Sequence, residues 1–216
     1  RCNFRCTYCM PKEVYGESFK FLPREELLDF NEIERIAQTF AKLGVTKIRI
    51  TGGEPLVRKN IEELIFKLSN IPGIEDIAMT TNGYLLESKL DSLVDSGLNR
   101  ITVSLDSIDS KTFKKMSGQN FEVEKVLSAI KSANNKGFKN LKINCVVQKN
   151  VNEHSILDLL DYFRDSGNIV RFIEYMDVGN INGWELKDVL SVNKILEIIE
   201  SKYKVKKLEE NYEGEV

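Results

Sequence analysis

The sequence predicts an α/β fold: one domain over residues 1–216 in which parallel strands alternate with helices and wrap a polar interior as a closed or partial barrel. Three observations carry this. Short β-branched runs alternate with stretches whose apolar residues recur at helical spacing. Glycines punctuate the helix ends. The strand runs alternate polar with apolar residues, so each strand carries two unlike faces. A chain of 216 residues with 42% hydrophobic content buries a core as a single domain.

Taken in order, a helix near Asn31 to Leu43 places Ile33, Ile36, Ala37 and Phe40 on one side and stops at Gly44. The strand Val45 to Ile50 follows. Further strands are predicted at Ile74 to Thr80, Arg100 to Leu105, Leu141 to Val147 and Ile169 to Glu174. The helices between them carry Ile61, Leu64, Ile65 and Leu68, then Leu90, Leu93 and Val94, then Val123, Val126, Leu127 and Ile130, then Ile156, Leu159, Leu160 and Phe163. Gly97, Gly137 and Gly167 mark helix ends, and a last helix spans Val192 to Tyr203. Repeated βα units imply a parallel sheet with right-handed crossovers. Lys47 and Arg49 oppose Ile48 and Ile50; Thr102, Ser104 and Asp106 oppose Ile101, Val103 and Leu105; Lys142 and Asn144 oppose Leu141, Ile143 and Cys145. With helices covering the apolar sides, the polar sides line a shared lumen. The alternative is a polar face turned to solvent at a sheet edge.

Chemistry concentrates at the front. Cys2, Cys6 and Cys9 supply three thiols with no local fourth ligand, and the one histidine, His154, lies far away in sequence. Structural zinc closes its tetrahedron with a fourth Cys or His, so a zinc knuckle needs a distant ligand. An iron–sulfur cube on three cysteines leaves one iron open to a small molecule. The spacing C-x3-C-x2-C, with Tyr8 before the last cysteine, resembles the motif of the radical S-adenosylmethionine (SAM) enzymes. Gly52-Gly53-Glu54-Pro55 follows a strand directly; it is either a tight βα turn or a loop that lets backbone approach a ligand. Thr80 to Gly83, Ser104 to Asp106 and Glu174 to Asp177 also fall at strand ends, the rim where barrel enzymes gather their sites. Lys47, Arg49, Lys142 and Arg171 lie on strands, where a buried charge needs a partner. That partner is either a polyanion such as a nucleoside triphosphate or an internal carboxylate, Glu54, Asp106 or Glu174. His154 reads as an exposed residue opening a helix, Cys145 as an inert core thiol, and Trp184 as covering the cavity or packing in the loop 179–184.

The formal charge of −2 comes from 31 basic and 33 acidic residues without a block of like charge, which disfavours nucleic-acid binding. No apolar run of about 18 residues or signal-peptide pattern indicates a membrane or export, and reduced thiols suit the cytoplasm. The chain opens on Arg1 rather than Met, so a segment of a longer protein is expected.

Cys-Asn-Phe-Arg-Cys-Thr-Tyr-Cys-Met-Pro, Lys-Ile-Arg-Ile-Thr-Gly-Gly-Glu-Pro-Leu, Thr-Thr-Asn-Gly, Ser-Leu-Asp and Arg-Phe-Ile-Glu-Tyr-Met-Asp-Val-Gly together resemble the GTP 3′,8-cyclase family, radical SAM lyases that open molybdenum cofactor biosynthesis. The resemblance implies a partial (β/α)6 TIM-type barrel, here truncated at both ends. It implies a [4Fe-4S] cluster on Cys2, Cys6 and Cys9, SAM contacts from Tyr8, Gly53, Ser104 and Met176, and GTP contacts from Arg49, Thr80 and Lys142. Lys47 and Arg171 are weaker candidates for the triphosphate. The implied reaction turns GTP into (8S)-3′,8-cyclo-7,8-dihydroguanosine 5′-triphosphate through a 5′-deoxyadenosyl radical that takes the ribose C3′ hydrogen. An electron donor such as flavodoxin or ferredoxin is implied, and a homodimer is compatible with it. The family's second [4Fe-4S] cluster needs three further cysteines, whereas Cys145 is the only one after Cys9. The segment alone is therefore not expected to be fully active. Two other classes stay open: a radical SAM enzyme that modifies a peptide, and a non-catalytic iron–sulfur or zinc module.

Overall fold

The computed structural model describes residues 1–178 and 183–208. Five strands, β1 (Lys47–Ile50), β2 (Asp76–Thr81), β3 (Arg100–Ser104), β4 (Lys142–Val147) and β5 (Ile169–Glu174), form one parallel sheet in sequential order. A sequential order has no reversal point, so right-handed crossovers lay every connecting helix on the same face. The sheet is thus wound in one sense, as in a barrel, and is not doubly wound. The described residues carry five of the six strands that the resemblance implied.

The helices are α1 (Phe30–Lys42), α2 (Ile61–Ser69), α3 (Leu86–Asp95), α4 (Ser110–Ser117), α5 (Val123–Asn135), α6 (Ser155–Phe163) and α7 (Val192–Glu200). Helix α1 starts at a capping box in which the Asp29 carboxylate accepts from the Glu32 N–H and the Glu32 carboxylate from the Asp29 N–H, each at 2.8 Å. Helix α4 is capped by Asp109, which accepts from the Thr112 N–H at 2.8 Å, and ends at left-handed Gly118. The predicted elements match these apart from their ends: β2 starts two residues later than expected, because Ile74 belongs to the preceding turn, and α7 stops at Glu200. Helix α4 has no counterpart among the predicted helices. None of the helices among the described residues is long and apolar enough to cross a membrane.

The core lies between the outer face of the sheet and the helices. Ile77, Met79, Ile101, Val103, Ile143, Cys145 and Val147 point outward and meet helix residues such as Ile65, Leu93, Ala129 and Leu159, all fully or almost fully buried. Burial of each large aliphatic side chain contributes about 1.5–3 kcal/mol. The opposite face is polar, as the alternation predicted, and its register fixes two rows. Thr80, Thr102 and Lys142 are direct neighbours across β2, β3 and β4. Ser104, Asn144 and Arg171 form the next row, nearer the C-terminal rim. Below both, Arg100 and Asp76 form a two-pronged ion pair, with Nε 2.9 Å from Oδ1.

Candidate functional site

The cysteine loop is anchored by the residue between its first two thiols. Phe4 is 3% exposed and packs on Phe113, Phe121 and Tyr84 at centroid distances of 5.9, 5.5 and 6.1 Å. This plug, about 2 kcal/mol or more of buried aromatic surface, sets the loop over the end of the sheet. The backbone then docks on the last turn of α4: the Arg5 N–H donates to the Ser117 carbonyl at 2.8 Å and the Thr7 N–H to the Met116 carbonyl at 3.0 Å. Gly118 must be glycine here, because φ is +63° and a Cβ would fall 2.1 Å from the Arg5 carbonyl oxygen. The Cys9 and Met10 N–H groups both donate to the Cys6 carbonyl, at 3.1 and 2.9 Å, closing a turn between the last two thiols.

Cys2 and Cys6 are partly buried and Cys9 is exposed. Burial pushes all three thiols up, Cys6 furthest, and the charges of Asp106, Cys2 and Cys9 add to the rise at Cys6. The three are therefore close enough to sense one another. Three thiols on one short loop are the donor chemistry of a cube that leaves one iron open to a small molecule.

The Gly-Gly-Glu-Pro loop lies directly beside this loop. The Glu54 N–H donates to the Arg1 carbonyl at 2.8 Å, and a Cβ on Gly53 would fall 2.4 Å from that same oxygen. Glu54 is 4% exposed, and one carboxylate oxygen accepts from the Leu56 N–H (3.0 Å) and Thr81 Oγ1 (2.7 Å) while the other accepts from the Asn82 N–H (2.7 Å). Glu54 thus clasps the loop after β1 to the loop after β2. Burial raises its carboxyl, opposed by these donors. Asn82 in turn donates from Nδ2 to Asn3 Oδ1 at 2.8 Å and reaches Cys2 Sγ at 3.9 Å.

On the other side of the loop, the Tyr8 hydroxyl donates to Asp106 Oδ2 at 2.8 Å, and Asp106 Oδ1 accepts from the Val146 N–H at 2.9 Å. Burial pushes the Asp106 carboxyl up to about 6 against the lowering effect of those two donors. Cys6, Tyr8, Asn82, Ser104 and Asp106 line the polar side of a cavity of about 30 Å³, closed on its other side by Phe4, Phe113 and Met116. That volume suits about one water. The structure therefore brings Tyr8, Gly53 and Ser104 to the cysteine loop, while Met176 lies on the loop after β5, 54% exposed.

In the lumen, Arg49 Nη1 donates to Thr80 Oγ1 at 3.2 Å and to Thr102 Oγ1 at 3.3 Å. Arg171 Nε donates to Asn144 Oδ1 at 2.9 Å. Lys142 stands beside Thr102 in register. Glu54 and Asp106, two of the carboxylates weighed as partners for these cations, accept N–H and O–H donors of the neighbouring loops. The third, Glu174, accepts from the Val192 N–H at the start of α7. His154 is exposed at the start of α6, its Nε2 3.1 Å from Thr112 Oγ1, and Cys145 is fully buried in the core. Trp184 Nε1 donates to the Tyr175 carbonyl at 3.1 Å, while the first four residues of its loop, 179–182, lie outside the described residues. Residues that the sequence did not single out but the geometry does are Arg5, Asn3 and the α4 helix.

The model of the Radical SAM superfamily matches residues 1–163. The chain is 50% identical over all its 216 residues to proteins named GTP 3′,8-cyclase from Staphylococcus haemolyticus (strain JCSC1435) and Staphylococcus carnosus (strain TM300), and spans 63% of the length of each. Among solved structures, it is similar to Streptococcus suis SuiB bound to S-adenosylmethionine, with a TM-score of 0.70 at 21% identity, over 93% of this chain and 44% of that one.

Proposed function

The chain belongs to the radical SAM superfamily, and from that premise we propose that it is the barrel of an enzyme that cyclises GTP to (8S)-3′,8-cyclo-7,8-dihydroguanosine 5′-triphosphate. The observation that carries this reading is the placing of a three-thiol loop at the mouth of a lumen whose cations are pre-oriented. Arg49 is held by two threonine hydroxyls that use one nitrogen, Nη1, so its remaining N–H groups can meet phosphate or carbonyl oxygens. Half the residues of the matched length are shared with relatives that bear the cyclase name, whereas the likeness to SuiB is one of fold.

In this reading Cys2, Cys6 and Cys9 hold the [4Fe-4S] cluster. Tyr8, Gly53, Ser104 and Met176 contact SAM; Arg49, Thr80 and Lys142 contact GTP; Lys47 and Arg171 are weaker candidates for the triphosphate. The cluster, once bound, supplies the electron that splits SAM and hence the radical that takes the C3′ hydrogen. The chain's own residues position and shield: the rows of Thr80, Thr102 and Lys142 and of Ser104, Asn144 and Arg171 fix the nucleotide relative to SAM. The second cluster is proposed for the full-length protein alone, since Cys145 is buried in the core. A flavodoxin- or ferredoxin-type donor, a reducing cytoplasm and a homodimer complete the proposal, with no nucleic acid or membrane partner.

The full-length protein, reconstituted anaerobically and reduced, is expected to form 5′-deoxyadenosine from SAM only when GTP is present. Release of 5′-deoxyadenosine that ignores GTP and responds to a peptide would replace the reading with peptide modification. Arg49→Ala is expected to raise KM for GTP about 10- to 100-fold, as loss of charge-assisted hydrogen bonds of about 1.5–3 kcal/mol implies, and to leave KM for SAM unchanged. An equal rise in both constants would remove Arg49 from the GTP site.

A further inference from the structure

We infer that Arg5, in the spacer between the first two cysteines, is a positioning residue that braces the backbone of the cysteine loop for the cluster. Its guanidinium collects three backbone carbonyls from two stretches of chain: Nη1 donates to the Cys2 carbonyl at 2.8 Å and the Phe4 carbonyl at 2.7 Å, and Nε donates to the Tyr15 carbonyl at 2.6 Å. The guanidinium carbon also lies 5.9 Å from the Phe21 ring centroid, over an aromatic group in which Phe19 packs on Tyr15 at 4.6 Å and on Phe21 at 4.8 Å. Meanwhile the Arg5 backbone is pinned to α4 through its N–H, 2.8 Å from the Ser117 carbonyl, and through its carbonyl against Gly118. One residue therefore joins the start of the loop, the segment that follows it and the helix beneath it.

A loop without ladder partners leaves its carbonyls to water unless a side chain takes them. Arg5 takes three, and each such bond to a charged donor is stronger than a neutral one. The backbone that carries the three cysteines is thus braced by the protein's own contacts. Lysine cannot substitute fully, because an ammonium is a point donor and lacks the planar fork that spaces Nη1 and Nε toward opposite carbonyls. The inference rests on the cluster of the radical SAM reading and is independent of GTP as substrate.

The test uses the full-length protein reconstituted anaerobically, in wild-type form and as Arg5→Met, Arg5→Lys and Phe21→Leu. The readouts are the rate at which an iron chelator strips the cluster, the electron paramagnetic resonance signal of the reduced cluster with and without SAM, and the melting temperature of the metal-free protein. Arg5→Met is expected to lose iron about 10- to 100-fold faster, in the range typical of residues that orient metal ligands, with an altered signal and a lower metal-free melting temperature, since three charge-assisted hydrogen bonds are lost. Arg5→Lys and Phe21→Leu are expected to fall between it and wild type. Stripping rates indistinguishable from wild type in Arg5→Lys and Phe21→Leu overturn the inference, and these two decide the matter if Arg5→Met does not fold. A wild-type protein that loads its cluster but ignores GTP defeats the substrate proposal alone; GTP turnover with wild-type iron retention in the variants defeats this inference alone.

Discussion

Cys6→Ala is expected to reduce SAM cleavage to background and to leave less iron on the protein after anaerobic reconstitution, whereas Cys145→Ala keeps both. Cys6 is central to the loop in three ways. Its carbonyl accepts the N–H groups of Cys9 and Met10, its side chain lines the small polar cavity with Tyr8 and Asp106, and its thiol is raised furthest by burial and by neighbouring charge. Free, it is the least willing of the three to become a thiolate; ligated, it is the most shielded from water. Removing it leaves two ligands, one of them exposed Cys9, for a group that needs three. Cys145 offers the contrast. It is fully buried among helix side chains, 3.5 Å from the Asp106 carbonyl, and its loss is a packing defect in the core. Measured iron and 5′-deoxyadenosine yields check both halves. A Cys6→Ala protein that cleaves SAM at the wild-type rate, or a Cys145→Ala protein that cannot load iron, would remove the cluster from this loop.

Much of the architecture was legible because the parallel strands announce their faces. Lys142, Asn144 and Val146 alternate with fully buried Ile143, Cys145 and Val147, so the lumen side could be named before the sheet was seen. The register could not. That Thr80, Thr102 and Lys142 form one row depends on how strands slide past one another, which the helices between them decide. Helix α4 was missed because Ser-Lys-Thr-Phe-Lys-Lys-Met-Ser shows only two apolar residues. Phe113 and Met116 gain their burial from Phe4 and the cysteine loop, so the helix has an apolar face only once that loop is in place. The same holds for the site. Three cysteines at fixed spacing are a local signal, but Asn82 meets the loop from 79 residues away in sequence and Asp106 meets Tyr8 from 98. Read locally, Asn82-Gly83 is a turn and Arg5 a spacer; their roles exist only in the tertiary contacts.

Asp106→Asn is expected to change how stability depends on pH. In the folded protein this carboxyl holds its proton to about 6, against 3.8 for the ordinary group, chiefly because burial disfavours the charge. Between those values the folded state binds more protons than the unfolded chain, so stability falls as pH rises. The contribution is fully present below about 4 and is lost as pH rises through about 6, the reverse of a carboxylate held in an ion pair. At about 1.4 kcal/mol per pH unit, the window of roughly two units corresponds to about 3 kcal/mol. Asparagine keeps the shape and an acceptor for the Val146 N–H, and the Tyr8 hydroxyl can turn to accept from its amide. It cannot titrate. Denaturant unfolding of the metal-free protein should therefore show wild type losing stability relative to Asp106→Asn between about pH 4 and 6, with the difference levelling off above about 6. A difference that stays flat across that range would mean that Asp106 is ionised at its ordinary pH in the folded state.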